Sequence, residues 1–110
     1  MCIFCKIAAY EIKSDIVFEN EAVIAFRDIN PQAPKHIVVI PKEHIETLNQ
    51  VKDFNLISEI YKVIPQVAMS EGIKDSGYRV VVNTNRDSGQ EVYHIHFHIL
   101  GGRRMHWPPG

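Results

Sequence analysis

With 110 residues, 45% of them apolar and 23% charged, the chain has the make-up of one globular domain with a single modest core. The formal net charge is −1 with histidine neutral, which excludes the electrostatic footprint of a protein built to hold long nucleic acid and leaves small anionic ligands open. No apolar run approaches the length of a membrane span, and no basic segment followed by an apolar leader opens the chain, so cytoplasm is the expected compartment and no membrane partner is expected. The first element is Cys2–Ala9, free of Gly and Pro and fit for a short helix. Its two cysteines are the chain's full complement, and Cys2-Ile3-Phe4-Cys5 reads as a metal half-site, a redox pair or two small apolar residues.

Ile16–Glu19 and Val23–Arg27, separated by a tight turn at Asn20-Glu21, predict a β-hairpin. Asp28–Pro34 follows as a loop, because Pro31 and Pro34 cannot sit in a strand ladder. His36–Pro41 is mostly apolar and is expected as the central strand. A polar connection containing His44 comes next, with one helical turn expected near Ile45–Leu48. From Phe54 to Glu71 the residues Leu56, Ile57, Ile60, Val63, Ile64, Val67 and Ala68 form the stripe of an amphipathic helix, with Asp53 or Asn55 as cap and Gly72 as stop. Pro65 should bend it or lower its helicity. Tyr78–Asn83 reads as a fourth strand, Thr84–Gln90 as a loop, and Val92–Leu100 as a fifth strand closed by Gly101-Gly102. Five short strands with one long and one short helix imply an α+β fold around a mainly antiparallel sheet.

The chemistry concentrates in the last strand, at His94-Ile95-His96-Phe97-His98-Ile99-Leu100. Period-2 alternation sends the three imidazoles to one face and Ile95, Phe97 and Ile99 to the core. Neighbouring imidazoles would then stand about 6–7 Å apart. Such a row can ligate a metal, bind an anion or offer a nitrogen nucleophile.

This run resembles the histidine triad (HIT) motif, His-φ-His-φ-His-φ-φ with φ apolar. The likeness extends to Phe26-Arg27-Asp28-Ile29, Pro31–Pro34, His36–Pro41, Gly77-Tyr78-Arg79, Gly89-Gln90, Gly101-Gly102-Arg103 and Met105–Gly110, and so is similar to the branch of histidine triad nucleotide-binding proteins (Hint) from Ile3 to the C-terminus. It implies a HIT-like fold, one domain over 1–110, a homodimer, and a tail 103–110 that reaches the dimer interface and active site. It also implies hydrolysis of a purine nucleoside phosphoramidate or aminoacyl adenylate to the nucleoside monophosphate. By the same likeness His96 is the nucleophile that forms a nucleotidyl-histidine, and no metal is required for the chemistry. His98 is placed to bind the α-phosphate or assist protonation of the leaving amine. His36 is either a support for the triad from an adjacent strand or a satisfied core histidine.

Nucleotide contacts carried over by the resemblance are Asp28 and Ile29 for ribose and base, and Asn83, Gly89, Gln90 and Glu91 near the α-phosphate, with His96, His98 and Trp107 completing the set. Gly89 suits close approach of a backbone N–H to an anion. Glu91 departs from the animal pattern, which has serine there; it is expected to offer its backbone N–H, to turn outward, or to meet the amine end of the substrate. For Cys2 and Cys5 the resemblance supplies His44 and His94 as the remaining ligands of a structural zinc. Two rival readings remain: a non-catalytic nucleotide- or zinc-binding partner protein, and a dinucleoside polyphosphate hydrolase.

Overall fold

The computed structural model describes residues 2–110. Its elements in chain order are α1 (Ile3–Ala8), β1 (Ile16–Glu19), β2 (Val23–Arg27), β3 (Lys35–Pro41), α2 (Asn55–Ser70), β4 (Tyr78–Val82) and β5 (Phe97–Gly101), with 3-10 turns at Leu48–Gln50 and Arg86–Ser88. The strands form one antiparallel sheet in the order β1-β2-β3-β5-β4, so the apolar β3 is central and β1 and β4 are the edges. The expected α+β class with one long and one short helix is borne out.

Strand alternation splits the core into two layers. Val23 and Ala25 of β2, Ile37 and Val39 of β3, and Phe97 and Ile99 of β5 face α2, whose Ile60, Val63, Ile64, Val67 and Ala68 pack on them. Each of the larger side chains contributes about 1.5–3 kcal/mol by leaving water. Ile24, Phe26, Val38 and Ile40 face the other way and are capped by Ile7, Phe4 and Ala8 of α1. A six-residue helix covers only the β2–β3 half of that second face. His36 and His98 lie on the half it leaves open, as diagonal neighbours in the β3–β5 ladder, where His36 pairs with Leu100 and Val38 with His98.

Three expectations are corrected. The strand predicted over Val92–Leu100 begins only at Phe97, so His94 and His96 precede it. Its partner β3 ends at Pro41, which has no N–H to extend the ladder, and Ile95 donates its N–H to the Ile45 carbonyl instead (2.6 Å). The alternation in burial survives, with Ile95, Phe97 and Ile99 all in the core. The residue at the N-cap of α2 is Phe54, without a side-chain cap; Asp53 accepts the Asn55 N–H through Oδ1 (3.0 Å) from one position earlier. The turn expected around Ile45–Leu48 forms at Leu48–Gln50, capped by the Thr47 hydroxyl. α2 runs through Pro65 and stops before Gly72, which has φ +77°.

Candidate active site

The loop after β2 is anchored from both ends. Arg27 Nη2 donates to Glu71 Oε2 at the end of α2 (2.9 Å) and Arg27 Nε pairs with Asp15 (3.0 Å). The Asp28 N–H donates to the His36 carbonyl (3.0 Å), and Asp28 Oδ1 accepts the Asn30 N–H (2.8 Å). The other carboxylate oxygen then faces His36 Nε2 at 3.5 Å. Ile29, next in the loop, is 96% exposed, with its apolar side chain unsupported by the rest of the chain.

Partners at the second ring nitrogen assign each histidine its tautomer. The Gln32 N–H donates to His36 Nδ1 (3.1 Å), so that nitrogen holds the lone pair and the proton sits on Nε2. His36 Nε2–H in turn donates to His98 Nδ1 (2.9 Å), which leaves His98 with its N–H on Nε2. A protonated His36 would set Nδ1–H against the Gln32 N–H. Burial lowers the His36 pKa for the same end result, with Asp28 opposing. Burial also lowers His98, helped by His96 and His36, to about 4.

His96 Nδ1–H donates to the His94 carbonyl (2.8 Å), so its Nε2 carries the lone pair. Its ring lies 4.9 Å from that of His98 and 5.0 Å, edge-on, from that of Phe4. Burial lowers the His96 pKa and keeps the ring neutral. A buried neutral imidazole with one nitrogen tied to a carbonyl and the other free is an oriented nucleophile. Beside it, His98 offers a neutral N–H donor.

His94 is fully buried and points elsewhere. Its Nε2–H donates to the Pro41 carbonyl (2.7 Å), and its free Nδ1 turns to Cys2, Cys5 and His44. The donor separations are Cys2 Sγ to Cys5 Sγ 3.3 Å, Cys2 to His44 3.6 Å, Cys2 to His94 3.4 Å, Cys5 to His44 3.3 Å, Cys5 to His94 3.5 Å and His44 to His94 3.2 Å. A tetrahedron with bonds of about 2.0–2.3 Å has edges of about 3.3–3.8 Å, so the four donors fit one zinc ion. Burial and then the Cys2 sulfur push the Cys5 thiol up, and a divalent cation reverses that by binding the thiolate. The cluster of Asp28, His36 and His98 also brings three metal-type ligands together. It does not fit a metal, because His36 Nε2 holds a proton while Nδ1 is committed to Gln32.

The remaining expected residues are placed as follows. Asn83 is half-buried, one position past the Val82–Phe97 pair and so across from His96. Gly89 has φ +83° after the Arg86–Ser88 turn, a conformation that favours glycine, and Glu91 is exposed. The Gln90 side chain is occupied: Nε2 donates to the Glu46 (2.9 Å) and Val92 (3.1 Å) carbonyls and Oε1 accepts the Asn85 N–H (2.8 Å). Trp107 is 82% exposed, and the tail nearby is tied by Arg79 Nη2 donating to the His106 carbonyl (2.9 Å). Sequence reading missed Phe4, Gln32 and Pro41. Phe4 carried no signal beyond its helix, and the other two act through backbone groups that any residue, or any residue but proline, supplies.

Residues 9–105 match the HIT domain family. The chain belongs to that family. Among HIT relatives it is 52% identical over 105 residues to the purine nucleoside phosphoramidase of Escherichia coli strain K12, covering 94% of this chain and 88% of that one. It is 49% identical over 112 residues to the 14 kDa zinc-binding protein of Zea mays, covering 98% and 87%. The crystal structure of a HIT family hydrolase from Legionella pneumophila superposes with a TM-score of 0.96 at 53% identity, over the whole of both chains. Among the described residues no helix is long and apolar enough to cross a membrane.

Proposed function

We propose that this HIT chain is a purine nucleoside phosphoramidase working through a covalent nucleotidyl-His96 intermediate. The observation that carries the reading is the His94 carbonyl on His96 Nδ1–H, which presents His96 Nε2 as a lone pair. The E. coli relative at 52% identity bears that activity in its name.

In the first step His96 Nε2 attacks the α-phosphorus and the P–N bond breaks. The electron pair goes to the departing nitrogen, which takes a proton from water. The imidazolium formed keeps its Nδ1–H on the His94 carbonyl. In the second step water attacks phosphorus, the pair returns to His96 Nε2, and the nucleoside monophosphate leaves with one proton released to solvent. With a pKa of about 4, His98 is a poor acid near neutrality. Its Nε2–H suits it to hold an α-phosphate oxygen, with His36 fixing the tautomer behind it. Asp28 is suited to accept from ribose hydroxyls beside an exposed Ile29, and Asn83 with the backbone of Gly89, Gln90 and Glu91 to approach the phosphate. The occupied Gln90 side chain favours a backbone contact there.

The same reading makes residues 1–110 one domain and the working unit a homodimer in the cytoplasm. The β4 edge and the exposed Trp107 support the homodimer: an unpaired strand and a large aromatic residue are both surfaces that a second copy would cover. Cys2, Cys5, His44 and His94 would hold a structural zinc, outside the reacting atoms.

The test is rapid-quench mass spectrometry with adenosine phosphoramidate. One nucleoside monophosphate on His96, absent in His96→Asn, is the expected result. No adduct together with unimpaired turnover by His96→Asn overturns the nucleophile, and faster cleavage of diadenosine tetraphosphate overturns the substrate class.

A further inference from the structure

α1 has a place in both sites at once. Its N-terminal end carries Cys2 and Cys5, and between them Phe4 packs edge-on against His96 (centroids 5.0 Å apart, planes at 78°) and His94 (6.0 Å, 80°), with Phe26 behind it at 5.5 Å. Six residues are too few for a helix that stands alone, since about 12–15 are needed even for good helix formers. The placement of α1 therefore rests on tertiary contacts. Ile7 is the buried side chain of α1, one turn past Phe4, and the end bearing Phe4 is tied by the Cys5 N–H donating to Cys2 Sγ (3.3 Å) and by the sulfur–imidazole contacts. His44, the ligand from another loop, is exposed, so the cluster can gain or lose a cation without opening the core.

We infer that Phe4 is a positioning residue for His96, and that occupancy of the Cys2–Cys5–His44–His94 cluster sets where Phe4 stands. The inference rests on His96 as the nucleophile. Four ligands drawn to one ion fix the first turn of α1, and Phe4 leaves that turn as a flat wall on the ring of His96. With the cluster empty, the turn keeps the packing of Phe4, Ile7 and Ala8 and the local Cys5 N–H to Cys2 Sγ bond, and loses the link through the ion to His44 and His94. The hydrogen bond from His96 Nδ1–H to the His94 carbonyl fixes one end of the ring; Phe4 fixes its tilt. A cation bound outside the reacting atoms thus acts on turnover by orientation, and the zinc cluster becomes a control point as well as a staple.

The experiment compares zinc-loaded and zinc-stripped wild type, and the same pair for Phe4→Leu, by NMR of isotope-labelled histidine rings. Aromatic ring current makes the His96 Cε1–H signal a measure of the distance to Phe4, and this reading does not depend on turnover. Stripping is expected to shift the His96 signal in wild type and to leave it nearly fixed in Phe4→Leu, which should still bind one zinc per chain. In steady state, stripped wild type and Phe4→Leu should each lose about tenfold in kcat with KM nearly unchanged, and Phe4→Tyr should recover most of it. An unmoved His96 signal in wild type overturns the coupling. An equal shift in Phe4→Leu also overturns it, by assigning the path to the His94 carbonyl. A His96 shift in a protein that forms no nucleotidyl adduct leaves the coupling standing and removes the nucleophile.

Discussion

The two ends of the 94–98 run carry the same residue type and come out as opposite kinds of site. Upstream, His94 gives its N–H to the Pro41 carbonyl and turns a lone pair toward two sulfurs and a second imidazole. Downstream, His36 accepts the Gln32 N–H at one ring nitrogen and donates its other N–H to His98, beside a carboxylate. Both are clusters of metal-ligating residue types, yet the first suits a cation and the second suits a proton chain. The partner of the second ring nitrogen decides between them. In both clusters that partner is a main-chain group.

The largest expected effects break the downstream cluster alone. His98→Ala should lower kcat by about 10²–10³, the usual cost of one donor at a developing phosphate charge, with zinc content unchanged. His36→Ala should cost less, and in the double variant His36→Ala should add little, because its effect passes through His98. Steady-state kinetics on the four proteins checks this. Additive losses would show that His36 acts on substrate independently.

The upstream cluster breaks differently. Free zinc at about 100 times its dissociation constant adds about 2.7 kcal/mol to folding, near 10 °C in Tm at about 4 °C per kcal/mol. Wild type and His98→Ala should show the same zinc-dependent rise by calorimetry, and Cys5→Ser none. A rise retained in Cys5→Ser would place the ion elsewhere. A further variant strikes the loop that supports the downstream cluster. Gly102 has φ +88°, and an added Cβ would lie 2.8 Å from Pro34 Cβ, in the loop that carries Gln32. Gly102→Ala should cost about 1–3 kcal/mol in urea unfolding.

What the sequence made legible follows one division. Side-chain periodicity showed the layers: Ile95, Phe97 and Ile99 were readable as core, β3 as central, and α2 from its stripe. It did not show where the fifth strand starts, because Ile95 alternates in burial without belonging to the ladder; its N–H goes to Ile45. Residue types marked His36, His96, His98 and the Cys2–Cys5 pair. The pattern on which the tautomers depend was illegible, since Gln32 N–H, Pro41 C=O and His94 C=O are backbone groups brought close by loops. Phe4 was hidden for another reason: an aromatic in a short helix reads as packing until the ring it packs against is known.

The pH dependence is the sharpest discriminator, because it depends on protons alone. His98 is neutral in the folded chain with a pKa of about 4, lowered first by burial and then by His96 and His36. In the unfolded chain the same ring has the ordinary value of about 6.5. Between those values the unfolded state binds more protons, so stability rises with pH in this window. The contribution is complete above about pH 6.5 and is lost progressively as pH falls toward 4; His36, also lowered by burial, acts in the same direction. Wild type should therefore melt at steadily lower temperature from pH 6.5 to 4.5, and His98→Asn should show a shallower slope over that interval. Ring NMR at pH 5.5 should still find His98 neutral with its proton on Nε2. A His98 that charges above pH 6 would mean that His36 does not donate to it, and the downstream cluster would then be an acid rather than a fixed neutral donor.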